Sequence, residues 1–176
     1  MDDNLPIVYL SGLLILLGGL AVFVIREIFK TRQVESTFAN LQRKLAKEKG
    51  SAQEYYQLGS IYLDKKLYIQ SVNLFQKALK VSDKIEPENQ ALIYNALGFA
   101  YFAQEQYDLA IRNYREAIKL YPEYAIALNN LGNVYEKKQL ISKAVETYGE
   151  TLKIDPNNKT AKRRFESLQK RVVETS

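Results

Sequence analysis

Residues 97–156 contain the same set of residues twice, and every member of the second copy is shifted from the first by one constant offset. The shared set is Leu97, Gly98, Tyr101, Ala110, Tyr114 and Pro122 in one copy, and Leu131, Gly132, Tyr135, Ala144, Tyr148 and Pro156 in the other. An earlier copy has Leu58, Gly59, Tyr62, Phe75 and Ala78, and it lies slightly further upstream than this offset. The extra residues fall within 82–87, a natural place for a longer connection. A period of about 34 residues predicts stacked copies of one small structural unit.

Within each copy, the spacing of the apolar residues favours two antiparallel helices joined by a polar turn. In the middle copy we place these helices at about 90–103 and 107–120. Small residues such as Gly98 and Ala110 permit close approach of the two helices. Pro122 ends the second helix, because proline disfavours helical geometry in the residue before it. One such pair cannot bury its apolar face alone, so we expect the copies to stack.

The pattern resembles the tetratricopeptide repeat, in which an aromatic residue, Leu-Gly, Tyr, Ala, Phe and Pro recur with about the same period. The resemblance implies an all-α fold with three repeats, each a helix pair, over residues 51–156. Residues 157–176 are basic and are expected to form a helix that caps the last repeat. The apolar stripe of this helix consists of Ala161, Phe165, Leu168 and Val172.

Residues 1–30 form a different kind of segment. No residue from Ile7 to Ile25 is charged, and a helix of that length spans roughly 28 Å, close to the ~30 Å hydrocarbon layer of a bilayer. A cleaved secretory signal is the competing interpretation, but Arg26 and Lys30 follow the span where such a signal has small residues. We therefore expect residues 1–30 to hold a retained transmembrane anchor. Lys and Arg follow the span and none precedes it, which predicts the repeats on the cytoplasmic side or its equivalent.

Residues 31–50 form a basic linker between the anchor and the repeats. Four apolar residues share one helical face: Val34, Phe38, Leu41 and Leu45. Two interpretations stay open: a helix that leaves the bilayer and packs on the first repeat, or a helix that associates with a second copy. Two heptads are too few to argue a coiled coil. The positive charge of the linker favours an anionic membrane surface.

The chain contains no Cys and no His. This excludes disulfides, Cys/His zinc sites, His-ligated haem or pigment, and catalytic triads built on imidazole or thiolate. The Asp and Glu residues form no pair supported by other polar motifs. We therefore expect that the protein is not an enzyme and that it binds no metal, cofactor or small-molecule substrate. The 25 Lys and Arg exceed the 20 Asp and Glu mainly in two short flanks. A nearly neutral repeat region disfavours nucleic-acid binding.

The first helices of successive repeats line the concave surface of such a solenoid, so their side chains outside the core decide what binds. The candidate peptide-binding residues are Tyr56, Asn95, Phe99, Phe102, Asn129 and Asn133. Asn can donate and accept hydrogen bonds with a peptide backbone, and Phe offers apolar contact, a combination suited to protein segments. The alternative is that Asn129 and Asn130 cap or turn locally and that the two Phe complete the core.

Some repeats of this type capture the carboxyl-terminal tails of heat-shock chaperones and hold their carboxylates with Lys and Arg. The matching positions here are Tyr56, Ser60, Ala96, Ile126 and Asn130. Because none of them is cationic, a receptor that docks chaperones in this way is disfavoured.

The whole chain also resembles one family, the small thylakoid tetratricopeptide proteins of cyanobacteria and red-algal plastids that assist photosystem I assembly or stability. The resemblance is carried by LPIVYL at 5–10, KTR at 30–32, KG at 49–50, EYYQLGSIYL at 54–63, YNALGFAYFAQEQY at 94–107 and NNKTAKRR at 157–164. It implies a thylakoid location with the repeats on the stromal or cytoplasmic side. The implied partners are photosystem I subunits or other membrane-proximal proteins. It implies a membrane-anchored assembly or stability factor, and a stably bound adaptor subunit of a membrane complex stays open as the alternative.

Overall fold

A computed structural model of the chain describes residues 5–81 and 85–174, with side chains for 9–81 and 85–171. Part of the longer connection expected at 82–87 lies outside the described residues, and so does the whole side chain of Val172. The described residues form eight α-helices. They are α1 (Leu5–Leu45), α2 (Ala52–Asp64), α3 (Tyr68–Lys80), α4 (Pro87–Ala103), α5 (Tyr107–Leu120), α6 (Ala125–Lys137), α7 (Ile141–Ile154) and α8 (Lys159–Glu174).

The chain divides into two compact units, residues 1–47 and 48–176. The first unit contains α1, which runs without a break through the predicted anchor and most of the predicted linker. From Tyr9 to Phe29 its large apolar side chains are exposed. Among the described residues, α1 is the one helix long and apolar enough to cross a membrane, with a mean hydropathy of 2.2 over its most apolar window.

The second unit is a stack of helix pairs. α2 packs with α3, α4 with α5 and α6 with α7, and the second helix of each pair also packs against the helix that follows it. α8 packs against α7 in this way. This arrangement confirms the predicted all-α solenoid of three helix pairs with a further helix at its carboxyl end. α4 begins at Pro87 rather than near residue 90, because proline is well tolerated in the first turn of a helix.

A glycine and an aromatic ring bring the two helices of each repeat together. A Cβ atom placed on Gly98 would lie 2.7 Å from Cδ1 and Cε1 of Tyr114. The other repeats have the same arrangement, with the pairs Gly59–Phe75 and Gly132–Tyr148. All three rings are at most 1% exposed. The close helix approach predicted from the small residues is therefore filled by the aromatic ring of the second helix.

The turn inside each repeat has a strained residue. Lys66, Glu105 and Gln139 have φ angles of 60°, 58° and 58°, in the left-handed region that glycine adopts most readily. Each follows a first helix, and its N–H group bonds back to the last turn of that helix, as Glu105 N does to Phe102 O at 2.9 Å. The residue at this position therefore closes the helix at a cost in backbone strain.

α8 covers the end of the stack. Ala161 and Leu168 are almost fully buried, and Phe165 packs against the same core cluster. A Cβ atom on Gly149 of α7 would lie 3.2 Å from Cε2 of Phe165. The predicted apolar stripe, as far as it is described, therefore closes the core of the last repeat.

Candidate functional site

The candidate site is the face formed by the first helices of the three repeats. α2 contacts α4, and α4 contacts α6, so these helices lie side by side in one row. The side chains of these helices that do not pack into the core therefore lie on one face of the row. All six candidate residues lie on these three helices.

Three apolar side chains on this row are exposed to solvent. Phe99 is 43% exposed, Leu92 37% and Ile126 59%. Leu92 and Phe99 are two turns apart on α4, so they lie on one stripe of that helix. Ile126 follows Leu92 by one repeat period and therefore occupies the same place on α6. Leu92 and Ile126 were not predicted as site residues, because the repeat pattern alone does not tell which apolar residues the stacking leaves uncovered.

Tyr56 lies beside a cavity of about 310 Å³ at the amino-terminal ends of α2 and α4. Its half-buried ring is 5.7 Å from the ring of Phe75, at an angle of 40°. Other residues that line the cavity include Gln53, Ile85, Asn89, Leu92 and Ile93. The cavity offers a mainly apolar recess next to exposed Leu92.

Asn95 belongs to a polar network at the centre of the row. Its Oδ1 accepts a hydrogen bond of 3.0 Å from Nδ2 of Asn130, and its side chain also bonds to Tyr124. Burial raises the pKa of Tyr124, and nearby Tyr56 adds to this, whereas the bond with Asn95 acts in the opposite direction. The phenol of Tyr124 is therefore neutral at physiological pH, and its ring stacks on Tyr121 with a centroid distance of 5.6 Å.

Asn129 connects α6 to the start of α8. Its Nδ2 donates to Oδ1 of Asn158 at 2.9 Å, and the same oxygen caps α8 by accepting from the N–H of Ala161 at 3.0 Å. The partners of Asn129 and Asn130 lie on other helices or their caps, far away along the chain, so these bonds are not local turns. Asn133, one turn further along α6, is half-buried.

The two phenylalanines of α4 differ in what they present. Phe102 is half-buried and packs against the core cluster of the last two repeats, with its ring 5.8 Å from that of Tyr107. Phe99 is the more exposed of the two. Phe102 therefore contributes to the core, as the alternative interpretation expected of both phenylalanines, whereas Phe99 exposes apolar surface.

Together these side chains combine apolar and amide groups on one face. Exposed apolar groups provide contact area, and amides beside them provide hydrogen bonds, which is the composition that peptide-binding surfaces use. Within the described parts of the chain, no group of three or more Asp and Glu is placed to hold a metal ion.

Comparison with known proteins defines the class first. Two models of the tetratricopeptide repeat match residues 51–123 and 95–159. The fold is also that of the first such domain of Spaghetti (RPAP3), solved with a peptide of HSP90, with a TM-score of 0.63. That match has 20% identity and covers 69% of this chain and 93% of the other. The chain is a tetratricopeptide-repeat protein, a class of scaffolds that bind other proteins.

Two relatives identify the family within that class. The protein named ycf37 of Cyanophora paradoxa, uncharacterized, is 36% identical over 173 residues, which are 98% of this chain and 100% of the relative. The chloroplastic protein PYG7 of Arabidopsis thaliana, named for its tetratricopeptide repeat domain, is 37% identical over 168 residues, 94% of this chain and 56% of the relative. The chain belongs to the Ycf37 family of tetratricopeptide-repeat proteins.

Proposed function

We propose that this protein is a membrane-anchored scaffold that binds segments of other proteins on the row formed by α2, α4 and α6. The observation that carries the proposal is the exposure of Leu92, Phe99 and Ile126 on adjacent first helices. Exposed apolar groups that line up on one surface mark interaction sites more often than scattered ones do. Amide side chains beside them supply the hydrogen bonds that an extended segment needs.

Paired variants test the binding surface. Phe99→Asp with Ile126→Asp should abolish binding of partner proteins, because both charges enter the apolar contact. The matched control is Ile69→Asp with Leu109→Asp, which changes side chains of similar exposure, 67% and 37%, on the second helices α3 and α5. Each chain is purified in detergent and its melting temperature is measured beside its partner binding. Equal loss of binding in both pairs would show that the row is not the site.

The anchor in this proposal is the apolar part of α1. Its length suits a bilayer, and Arg26 and Lys30 after the span favour repeats on the cytoplasmic or stromal side. A tether of this kind raises the effective concentration of partners that lie near the membrane. We expect the chain to remain in membranes washed with alkaline carbonate. Protease added from the stromal or cytoplasmic side should digest the repeats, and protection would contradict this orientation.

We further propose that the partners are photosystem I subunits and that the protein assists the assembly or stability of that complex in the thylakoid membrane. The support is the resemblance of the whole chain to thylakoid proteins of this role, together with the chloroplastic relative. Cells without the protein should accumulate less photosystem I relative to photosystem II.

Isolated photosystem I separates this proposal from the adaptor alternative. An assembly factor should be absent from the mature complex or present in less than equimolar amount. A permanent adaptor subunit would be present one to one. Unchanged photosystem I in cells without the protein would contradict both.

A further inference from the structure

α8 has the same register as the first helix of a repeat. The residues that α8 packs into the core follow the buried residues of α6 by one repeat period each. The pairs are Ala127 and Ala161, Leu131 and Phe165, and Val134 and Leu168. A helix that packs with the same side chains in the same order presents its other faces in the same order too. α8 therefore occupies the place of a fourth first helix.

This register assigns α8 residues to the binding row. The positions one repeat period after Asn129, Asn133 and Glu136 are Arg163, Ser167 and Lys170. All three are exposed. Among the side chains that the structure describes, no Asp or Glu forms an ion pair with Arg163 or Lys170. Two cations thus extend a row whose other side chains are amidic, aromatic and aliphatic, apart from the Glu136 carboxylate, which is paired with Arg164.

Direct bonds place α8 beside α6. The bond from Asn129 to Asn158 joins the amino end of α8 to α6 at 2.9 Å. One turn into α8, Nη1 of Arg164 lies 3.2 Å from Oε1 of Glu136. Glu136 also accepts from the Tyr148 hydroxyl at 3.4 Å, so its carboxylate is held by α7 and α8 together.

We propose that the binding row is four helices wide and takes a polypeptide segment whose apolar side chains lie on α4 and α6 and whose carboxylates lie on α8. This proposal rests on the protein-binding function proposed above and specifies the chemistry of the partner. Guanidinium and ammonium groups bind carboxylates by charge-assisted hydrogen bonds. Phe99 and Ile126 supply the apolar contacts.

The dimensions suit a short segment. Neighbouring helix axes are roughly 10 Å apart, so the row from α2 to α8 is about 30 Å wide. An extended chain covers that width with about nine residues. A nucleic acid would need cations along the whole row, whereas Tyr56, Asn95 and Phe99 carry none.

A library of random peptides about 12 residues long tests this proposal, because it exceeds the length that the row can hold. The full chain is inserted into phosphatidylcholine nanodiscs and used to select peptides from the displayed library. We expect enriched peptides to combine apolar residues with Asp or Glu to one side of them. Arg163→Glu with Lys170→Glu should lower the affinity for a selected acidic peptide by roughly tenfold, and the effect should be smaller at high salt.

The control variant has the same change in charge on the second helices of the repeats. Arg112→Glu with Lys153→Glu alters exposed cations of α5 and α7. Because these helices lie outside the row, the control should keep the affinity and the acidic preference. The melting temperature of both variants is measured to confirm that α8 still packs.

The outcomes separate the two proposals. If no peptide is enriched, the protein-binding function itself fails. If peptides bind through Phe99 without acidic preference, or if both charge variants act equally, only the role of α8 is overturned. The same chains are also tested on vesicles of equal parts phosphatidylcholine and phosphatidylglycerol. Loss of vesicle binding with unchanged peptide binding would make the α8 cations a lipid contact and contradict the proposal.

Discussion

Replacing Gly98 with Ala tests how tightly the two helices of a repeat are packed. Ala favours a helix interior by about 1 kcal/mol over Gly. Here the added Cβ would lie 2.7 Å from two atoms of the Tyr114 ring and 3.0 Å from a third. That ring is 1% exposed and has no room to move. Such overpacking costs about 1–3 kcal/mol, and three close atoms favour the upper end, so the net loss should be about 1–2 kcal/mol.

The assay is thermal unfolding of the full chain in detergent, followed by circular dichroism. The expected loss lowers the melting temperature by about 4–7 °C. Gly149→Ala is the matched control, because its Cβ would lie 3.2 Å from one atom of the half-buried Phe165 ring. We expect the control to change the melting temperature little. A Gly98→Ala protein as stable as this control would refute the packing argument.

Three further predictions concern stability. Burial raises the pKa of Tyr114 and Tyr148 above the ordinary value of 10.0, so the unfolded chain loses these protons at a lower pH than the folded chain. The urea midpoint of unfolding should therefore stay constant from pH 7 to 9 and decrease as the pH rises above about 10. Tyr114→Phe should reduce that decrease, and a midpoint that is unchanged at pH 11 in the original chain would contradict the prediction. Glu105→Gly should raise the melting temperature slightly, by about 0.5 kcal/mol of stability, because relief of the left-handed backbone outweighs the entropy that glycine adds; a lower melting temperature would be the contrary result. Tyr135→Phe should lower the free energy of unfolding, measured in urea, by about 1 kcal/mol, because the Tyr135 hydroxyl accepts a 2.8 Å hydrogen bond from Nη2 of Arg115 in the preceding repeat. An unchanged free energy of unfolding would show that this bond adds nothing to repeat stacking.

The sequence predicts the repeat unit well because that unit depends on local chemistry. The repeat period fixes the helix pairs, and the pairing of Gly98 with Tyr114 follows from the need for one small and one large residue at a close crossing. The stripe of Ala161, Phe165 and Leu168 likewise predicts a buried face on α8. Such inferences need only the spacing of residues along one or two helices.

The sequence predicts the candidate site less completely because the site depends on how the repeats superpose. Asn95 bonds to Asn130 across two helices, and no spacing rule identifies a partner that lies in the next repeat. The exposure of Leu92 and Ile126 depends in the same way on stacking. Hydropathy divides residues 1–50 into an anchor and a linker, but it does not show where a helix ends. Helix α1 continues through this boundary to Leu45 because no Gly or Pro interrupts residues 26–45.

Crosslinking from a single side chain in intact photosynthetic membranes tests the central claim most directly. A photoreactive amino acid replaces Phe99 on the binding row, and in a second chain it replaces Arg112, an exposed residue of the second helix α5. After illumination, we expect the Phe99 position to form an adduct with a photosystem I polypeptide in the membrane fraction, and the Arg112 position to form none. Equal adducts from both positions, or none from Phe99, would contradict a scaffold that binds its partners on this face.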